Sequence, residues 1–110
     1  MDIKAFLLDW LEISNSYNTE NYLAKYLEDA VLVDPSVGRK FVGHKEIREY
    51  YTNYFIGYKT QTELVKLDIQ DTIAHIEVEF TGEFPEEKIG GIFDFTFKND
   101  KIATVIADLK

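Results

Sequence analysis

Apolar residues recur at helical spacing along the first third of the chain. Ile3, Phe6, Leu7, Trp10 and Leu11 fall at i, i+3, i+4, i+7 and i+8, which is one stripe of a helix. The polar stretch SNSYNT interrupts this period, and Asn18 or Thr19 can cap a second, short helix in which Tyr22, Leu23, Tyr26 and Leu27 repeat the spacing. AVLVDP then reads as a short buried strand that stops at Pro35. A third helix is expected over residues 44 to 58, with Ile47, Tyr50, Tyr51, Tyr54, Phe55 and Tyr58 as its apolar stripe and Gly43 at its start.

From residue 60 onward the period shortens to two. Val65, Leu67 and Ile69 alternate with Lys66 and Asp68. Ala74, Ile76, Val78 and Phe80 alternate with His75, Glu77 and Glu79. Phe93, Phe95 and Phe97 alternate with Asp94, Thr96 and Lys98; Asn99-Asp100 forms a tight hairpin turn, and Val105, Ala107 and Leu109 complete the last strand. Three helices followed by four long antiparallel strands predict an α+β fold with the helices on one face of the sheet. Gly90-Gly91 lies inside a strand pattern and so predicts a bulge or a close backbone approach.

With 110 residues, 45% of them hydrophobic, the chain is expected to form one domain spanning 1–110. Its net charge of −8, from 12 basic residues scattered among 20 acidic ones, excludes a phosphate-binding stripe and hence nucleic acid as a partner. The same balance disfavours anionic membrane surfaces. There is no cysteine, so no disulfide, thiolate metal site or cysteine nucleophile. The start MDIKAFLLDWLEI lacks a basic segment followed by a continuous apolar run, and a cytoplasmic location is expected. Aromatic residues, 15% of the chain, are numerous enough to fill a core or to line a cavity.

The order helix, short helix, strand, Asp-Pro turn, FVGHKEIREYY and strand meander resembles the nuclear transport factor 2-like superfamily. Within it, EDAVLVDPSVGRKFVGHKEIREYY is similar, without a gap, to the SnoaL-like and ketosteroid isomerase branch. The resemblance covers nearly the whole chain and implies a cone-shaped (cystatin-like) fold, with three N-terminal helices packed on a curved antiparallel sheet. In ketosteroid isomerases an aspartate of the Asp-Pro turn removes a proton next to a carbonyl. A tyrosine of the first helix and a neutral carboxylic acid of a long strand then hydrogen-bond the enolate oxygen. The base position matches Asp34, whereas the tyrosine position holds Trp10 and the carboxylic acid position holds Phe93. A positioned base contributes roughly 10²–10⁴ in rate, and each oxyanion donor about 10²–10³. Losing both donors removes as much as the base supplies, so a standard ketosteroid isomerase is not expected.

The resemblance therefore implies a small, largely apolar ligand in a pocket formed by Asp34, Trp10, Tyr50, Tyr51, Ile76, Val78, Phe80, Phe93 and Phe95. Desolvation at such a site makes a carboxylate a stronger base. The implied chemistry is a cofactor-free isomerisation, dehydration or cyclisation, with Asp34 as general base. The competing expectations are an aspartate that only caps a turn before proline, and a non-catalytic dimeric domain whose cavity is filled by phenylalanine. His75, Glu77 and Glu79 share one strand face, but positions i and i+4 on a strand are too far apart for one metal ion, so no metal site is expected. That outer face, in this superfamily, commonly packs against a second copy, which implies a homodimer.

Overall fold

The computed structural model describes all residues, Met1–Lys110. Three helices, α1 (Ile3–Ser16), α2 (Thr19–Ala24) and α3 (Gly43–Tyr54), are followed or interleaved by six strands. These are β1 (Tyr26–Asp34), β2 (Arg39–Val42), β3 (Gln61–Gln70), β4 (Ile73–Thr81), β5 (Ile89–Lys98) and β6 (Lys101–Leu109). Local chemistry sets the boundaries. Asp2 caps α1 by accepting the Ala5 N–H at 3.0 Å, and Asn18 caps α2 by accepting that of Asn21 at 3.1 Å. Asn99 and Asp100, both at positive φ, turn the β5–β6 hairpin as a type I′ turn requires.

One face of the sheet is apolar in continuous cross-strand rows. Phe41, Leu32, Val105, Phe95, Ala74 and Ile69 form one such row, and Ala107, Phe93, Ile76 and Leu67 the next. Leu7, Trp10 and Leu11 of α1, Tyr22 and Leu23 of α2, and Ile47 and Tyr51 of α3 close over these rows to make the core.

The curved, all-antiparallel cone implied by the resemblance is not what forms. The sheet is open and not strongly curled, with strand order β2-β1-β6-β5-β4-β3, and β1 pairs with β6 in parallel. Closure would require the two edge strands to meet with a matching tilt and stagger. Here the four-residue β2 and the ten-residue β3 lie at opposite ends. The short strand β2 has no counterpart in the hydrophobic periodicity, because only one of its residues, Phe41, is buried.

Two boundaries and the facing of one strand residue also differ from the periodicity. Tyr26 and Leu27 belong to β1 rather than to α2: burial of Tyr26 is satisfied equally well by either period, and Tyr26 itself pairs with Ile102 of β6. The third helix ends at Tyr54, and a single 3-10 turn over Ile56–Tyr58 carries the chain on to Lys59 in the left-handed conformation. Val65, expected inside, is 57% exposed because the register shifts between Leu64 and Lys66 and leaves it as the bulged residue.

At Gly91 the backbone approach is close. A Cβ there would lie 2.3 Å from Phe80 Cε2, since the Phe80 ring lies across the strand. Gly91→Ala is expected to destabilise the fold by about 1–3 kcal/mol through overpacking. Gly90→Ala, whose Cβ meets only the flexible Lys110 side chain at 3.2 Å, should change urea-unfolding stability far less. Equal effects of the two substitutions would contradict this packing.

Candidate active site

A cavity of about 320 Å³ lies between the three helices and the end of the sheet where β4 turns back into β5. Trp10 and Ser14 come from α1 and Tyr22 from α2; Asp34, Ser36 and Val37 come from the end of β1 and its turn. Tyr50 and Tyr54 of α3, with Phe55, Tyr58 and Thr60 just beyond it, form a second wall. Phe80, Ile89 and Phe93 of the sheet and Phe84 and Pro85 of the β4–β5 loop complete the lining. Eleven of these sixteen residues are hydrophobic, and the volume lies at the lower end of the range of small-molecule sites.

Asp34 is the last residue of β1 and is 6% exposed. Its carboxylate Oδ1 accepts the Ser36 backbone N–H at 2.9 Å and the Ser36 hydroxyl at 2.5 Å, and its Oδ2 accepts the Tyr50 hydroxyl at 2.8 Å. Its backbone carbonyl accepts the Val37 N–H at 3.2 Å. Asp34 is thus a turn-forming aspartate and a cavity-wall carboxylate at once. A carboxylate offers about four lone-pair sites. Three are filled, two on Oδ1 and one on Oδ2, so Oδ2 is the atom left able to accept a proton from a ligand. Burial above all, and then the Asp34 charge, hold the Tyr50 phenol well above its ordinary pKa, so Tyr50 stays protonated and donating.

A second polar chain runs through the opposite wall. The Trp10 indole N–H donates to the Tyr26 hydroxyl at 3.2 Å, and Tyr26 donates to the Tyr22 hydroxyl at 2.8 Å. The Trp10 ring meets Phe93 and Phe95 edge-on, with centroids 5.2 Å away in each case. Tyr51 stacks on Tyr22 at 3.8 Å and donates its hydroxyl to the Ser14 carbonyl at 2.7 Å, so the carbonyl, not the Trp10 N–H, is its partner. Burial raises the pKa of Tyr51 to about 12 and those of Tyr22 and Tyr26 above the usual range.

The structure brings Trp10, Tyr50, Phe80 and Phe93 around the cavity together with Asp34. Tyr51, Ile76, Val78 and Phe95 are almost fully buried in the layer behind and do not line it. Ser14, Tyr22, Ser36, Val37, Tyr54, Phe55, Tyr58, Thr60 and Ile89, with Phe84 and Pro85 of the β4–β5 loop, line the cavity without having been expected there. Tyr22 carried a usable signal, as an aromatic on the buried stripe of α2; the loop carried none. On the outer sheet face, His75 Nδ1 sits 2.6 Å from Asp94 Oδ1 and Glu77 pairs with Lys110. The hydrogen bond from Lys110 holds the Glu77 carboxyl below its ordinary value.

The model of the SnoaL-like domain family matches residues 3–96. The chain belongs to the SnoaL-like family. Solved structures described as ketosteroid isomerase-like and nuclear transport factor 2-like share its fold. No curated protein matches it by sequence. Among solved structures, a candidate polyketide cyclase from Sinorhizobium meliloti is similar with a TM-score of 0.85 at 17% identity, over 94% of this chain and 93% of that one. A candidate ketosteroid isomerase from Kribbella flavida has a TM-score of 0.84 at 16% identity, over 96% of this chain and 76% of that one. The epoxide hydrolase/cyclase-like enzyme SalBIII, of pyran ring formation in polyether salinomycin, has a TM-score of 0.84 at 17% identity, over 97% and 89%. At these identities the likeness is one of fold. No helix is long and apolar enough to cross a membrane.

The tyrosine cluster makes stability sensitive to alkali. Tyr22, Tyr26, Tyr50 and Tyr51 hold their protons more tightly when folded than at the ordinary value of 10.0. Above that pH the folded state binds more protons than the unfolded one, so stability is full below it and falls as pH rises, by roughly 1.4 kcal/mol per pH unit for each such tyrosine. The tyrosinate absorbance of these four should therefore appear together with loss of circular dichroism, above pH 10. Ionisation of all seven tyrosines near their ordinary value with the fold intact would show that the cluster is not buried.

Proposed function

We propose that this SnoaL-like chain binds a small, largely apolar, carbonyl-bearing molecule in the cavity and catalyses a cofactor-free isomerisation, dehydration or cyclisation there. The observation that carries the reading is the Asp34 carboxylate, 6% exposed, anchored in a mostly apolar wall with one Oδ2 lone pair left free. Asp34 Oδ2 takes a proton from the carbon next to the carbonyl, and the electron pair moves to the carbonyl oxygen to give an enolate. Returning the proton at another carbon completes an isomerisation; expelling a hydroxyl group, which leaves as water with the proton from Asp34, completes a dehydration; attack on a second carbonyl carbon, whose oxygen takes that proton, completes a cyclisation. Ser36 and Tyr50 hold the carboxylate in place, and the aromatic wall excludes water from the enolate. Every step uses side chains alone, so the reading involves no cofactor and no metal.

The test is hydrogen–deuterium exchange next to the carbonyl across a panel of cyclic ketones and enones, followed by NMR in deuterated water. Wild type should accelerate exchange for at least one member, and Asp34→Asn should lower that rate by roughly 10²–10⁴. Equal rates for the two proteins across the panel would remove Asp34 as the base.

A second reading, self-association through the outer sheet face, is favoured by the apolar content of that face. Val33 and Ile106 lie in one cross-strand row with Asp94 and His75, Ile92 lies in the next, and Ile106 and Ile73 are 47% and 54% exposed. Apolar residues flanking a paired His75–Asp94 suit a partly polar interface between two copies. Sedimentation should show a dimer that Ile106→Lys converts to monomer; a wild-type monomer at micromolar concentration would end this reading.

A further inference from the structure

The chain of hydroxyls behind the cavity has a direction. Tyr26 is fully buried, and its hydroxyl has two neighbours, the Trp10 indole N–H and the Tyr22 hydroxyl. An indole N–H can only donate, so the Tyr26 oxygen accepts from Trp10. The Tyr26 proton must then go to Tyr22, because the alternative leaves a donor unpaired in the dry core, at a cost. Tyr22 accepts that proton, and its own finds no acceptor in the protein, although Tyr22 is 3% exposed and lines the cavity. Of the other buried wall residues, Ser14 donates to the Trp10 carbonyl and Trp10 to Tyr26; only Thr60 also keeps a hydroxyl proton free. The Tyr22 ring is held by stacking on Tyr51, itself fixed by its bond to the Ser14 carbonyl.

We propose that the Tyr22 hydroxyl is the donor for the carbonyl oxygen of the molecule bound in the cavity, with Tyr26 and Trp10 as positioning residues that orient and polarise it. Each bond of the chain strengthens the next, because a hydroxyl that accepts becomes a better donor. Tyr22 therefore faces the ligand oxygen while Asp34 Oδ2, held by Tyr50, faces the acidic carbon. As the proton moves to Asp34 and the electron pair to the oxygen, the Tyr22 proton stays on Tyr22 and its hydrogen bond tightens onto the growing negative charge. The preferred ligand class follows: an aromatic or cyclic ketone or enone, with an oxygen that accepts and does not donate. This assignment rests on the ligand-binding reading above.

The probes are acetonaphthone, whose oxygen only accepts, and ethylnaphthalene, which lacks the oxygen. Binding and the infrared carbonyl stretch of bound acetonaphthone are compared in wild type, Tyr22→Phe, Tyr26→Phe and Thr60→Val. Tyr22→Phe should weaken acetonaphthone binding about three- to tenfold, leave ethylnaphthalene unchanged, and raise the carbonyl stretch toward its value in a non-hydrogen-bonding solvent. Tyr26→Phe should raise the stretch part of the way, which a purely structural role would not do. The unchanged ethylnaphthalene affinity certifies that each variant is folded. An unmoved stretch in Tyr22→Phe, equal weakening of both probes, or loss of the shift in Thr60→Val instead overturns the assignment while leaving the cavity a binding site. Failure of both probes to bind wild type overturns the assignment and the ligand-binding reading together.

Discussion

A buried indole sets two demands at once: apolar surface around the ring, and an acceptor for its N–H. Trp10, 3% exposed, meets the first against Phe93 and Phe95 and the second through Tyr26. These contacts join α1 to β5 and to the start of β1, which lie far apart in sequence. Satisfying the Trp10 N–H commits Tyr26, which in turn commits Tyr22, and Tyr22 is stacked on Tyr51 of α3. The arrangement of the three helices over the sheet thus follows from one side chain whose burial has to be compensated. Edge-to-face contacts of this kind each add about 0.5–1.5 kcal/mol beyond their buried area.

The same economy applies on the other side of the cavity. An aspartate before proline needs partners for its carboxylate, and Ser36 supplies two within the turn. The third comes from Tyr50, sixteen residues away on α3. Turn formation and site formation are therefore one event: the bonds that stop β1 at Asp34 also fix where Oδ2 points. This scaffold hosts many activities, and what individualises this chain is the set of polar groups in a mostly apolar wall, with the Asp34 carboxylate on one side and the Tyr22 hydroxyl on the other.

The resemblance to ketosteroid isomerases becomes concrete in these terms. Trp10 and Phe93 stand where the resemblance implies the oxygen-binding hydroxyl and carboxylic acid, and neither points a free donor into the cavity. Both serve packing, and the Trp10 N–H is directed inward, to Tyr26. A residue-by-residue transfer of roles therefore reads the donor side of the cavity as empty, whereas Tyr22 and Thr60, both buried in its lining, keep hydroxyl protons with no acceptor in the protein.

Alternation and helical spacing along the chain determined the class of fold, the face each long strand buries and the aspartate that ends β1, because those properties depend on a residue's near neighbours and its hydropathy. Ambiguity entered where two periods fit the same residues, as at Tyr26 and Leu27, or where an inserted residue such as Val65 shifts the register without changing the pattern. The open sheet order, the parallel β1–β6 pair and the short strand β2 were settled only by long-range pairing. So was the cavity. Phe80 and Phe93 line it while Ile76, Val78 and Phe95, from the same inward rows, lie behind it, because what an inward side chain meets depends on the helix or loop that arrives above it. Hydropathy decides which way a residue faces; only the packing of distant elements decides whether it faces another side chain or an open space.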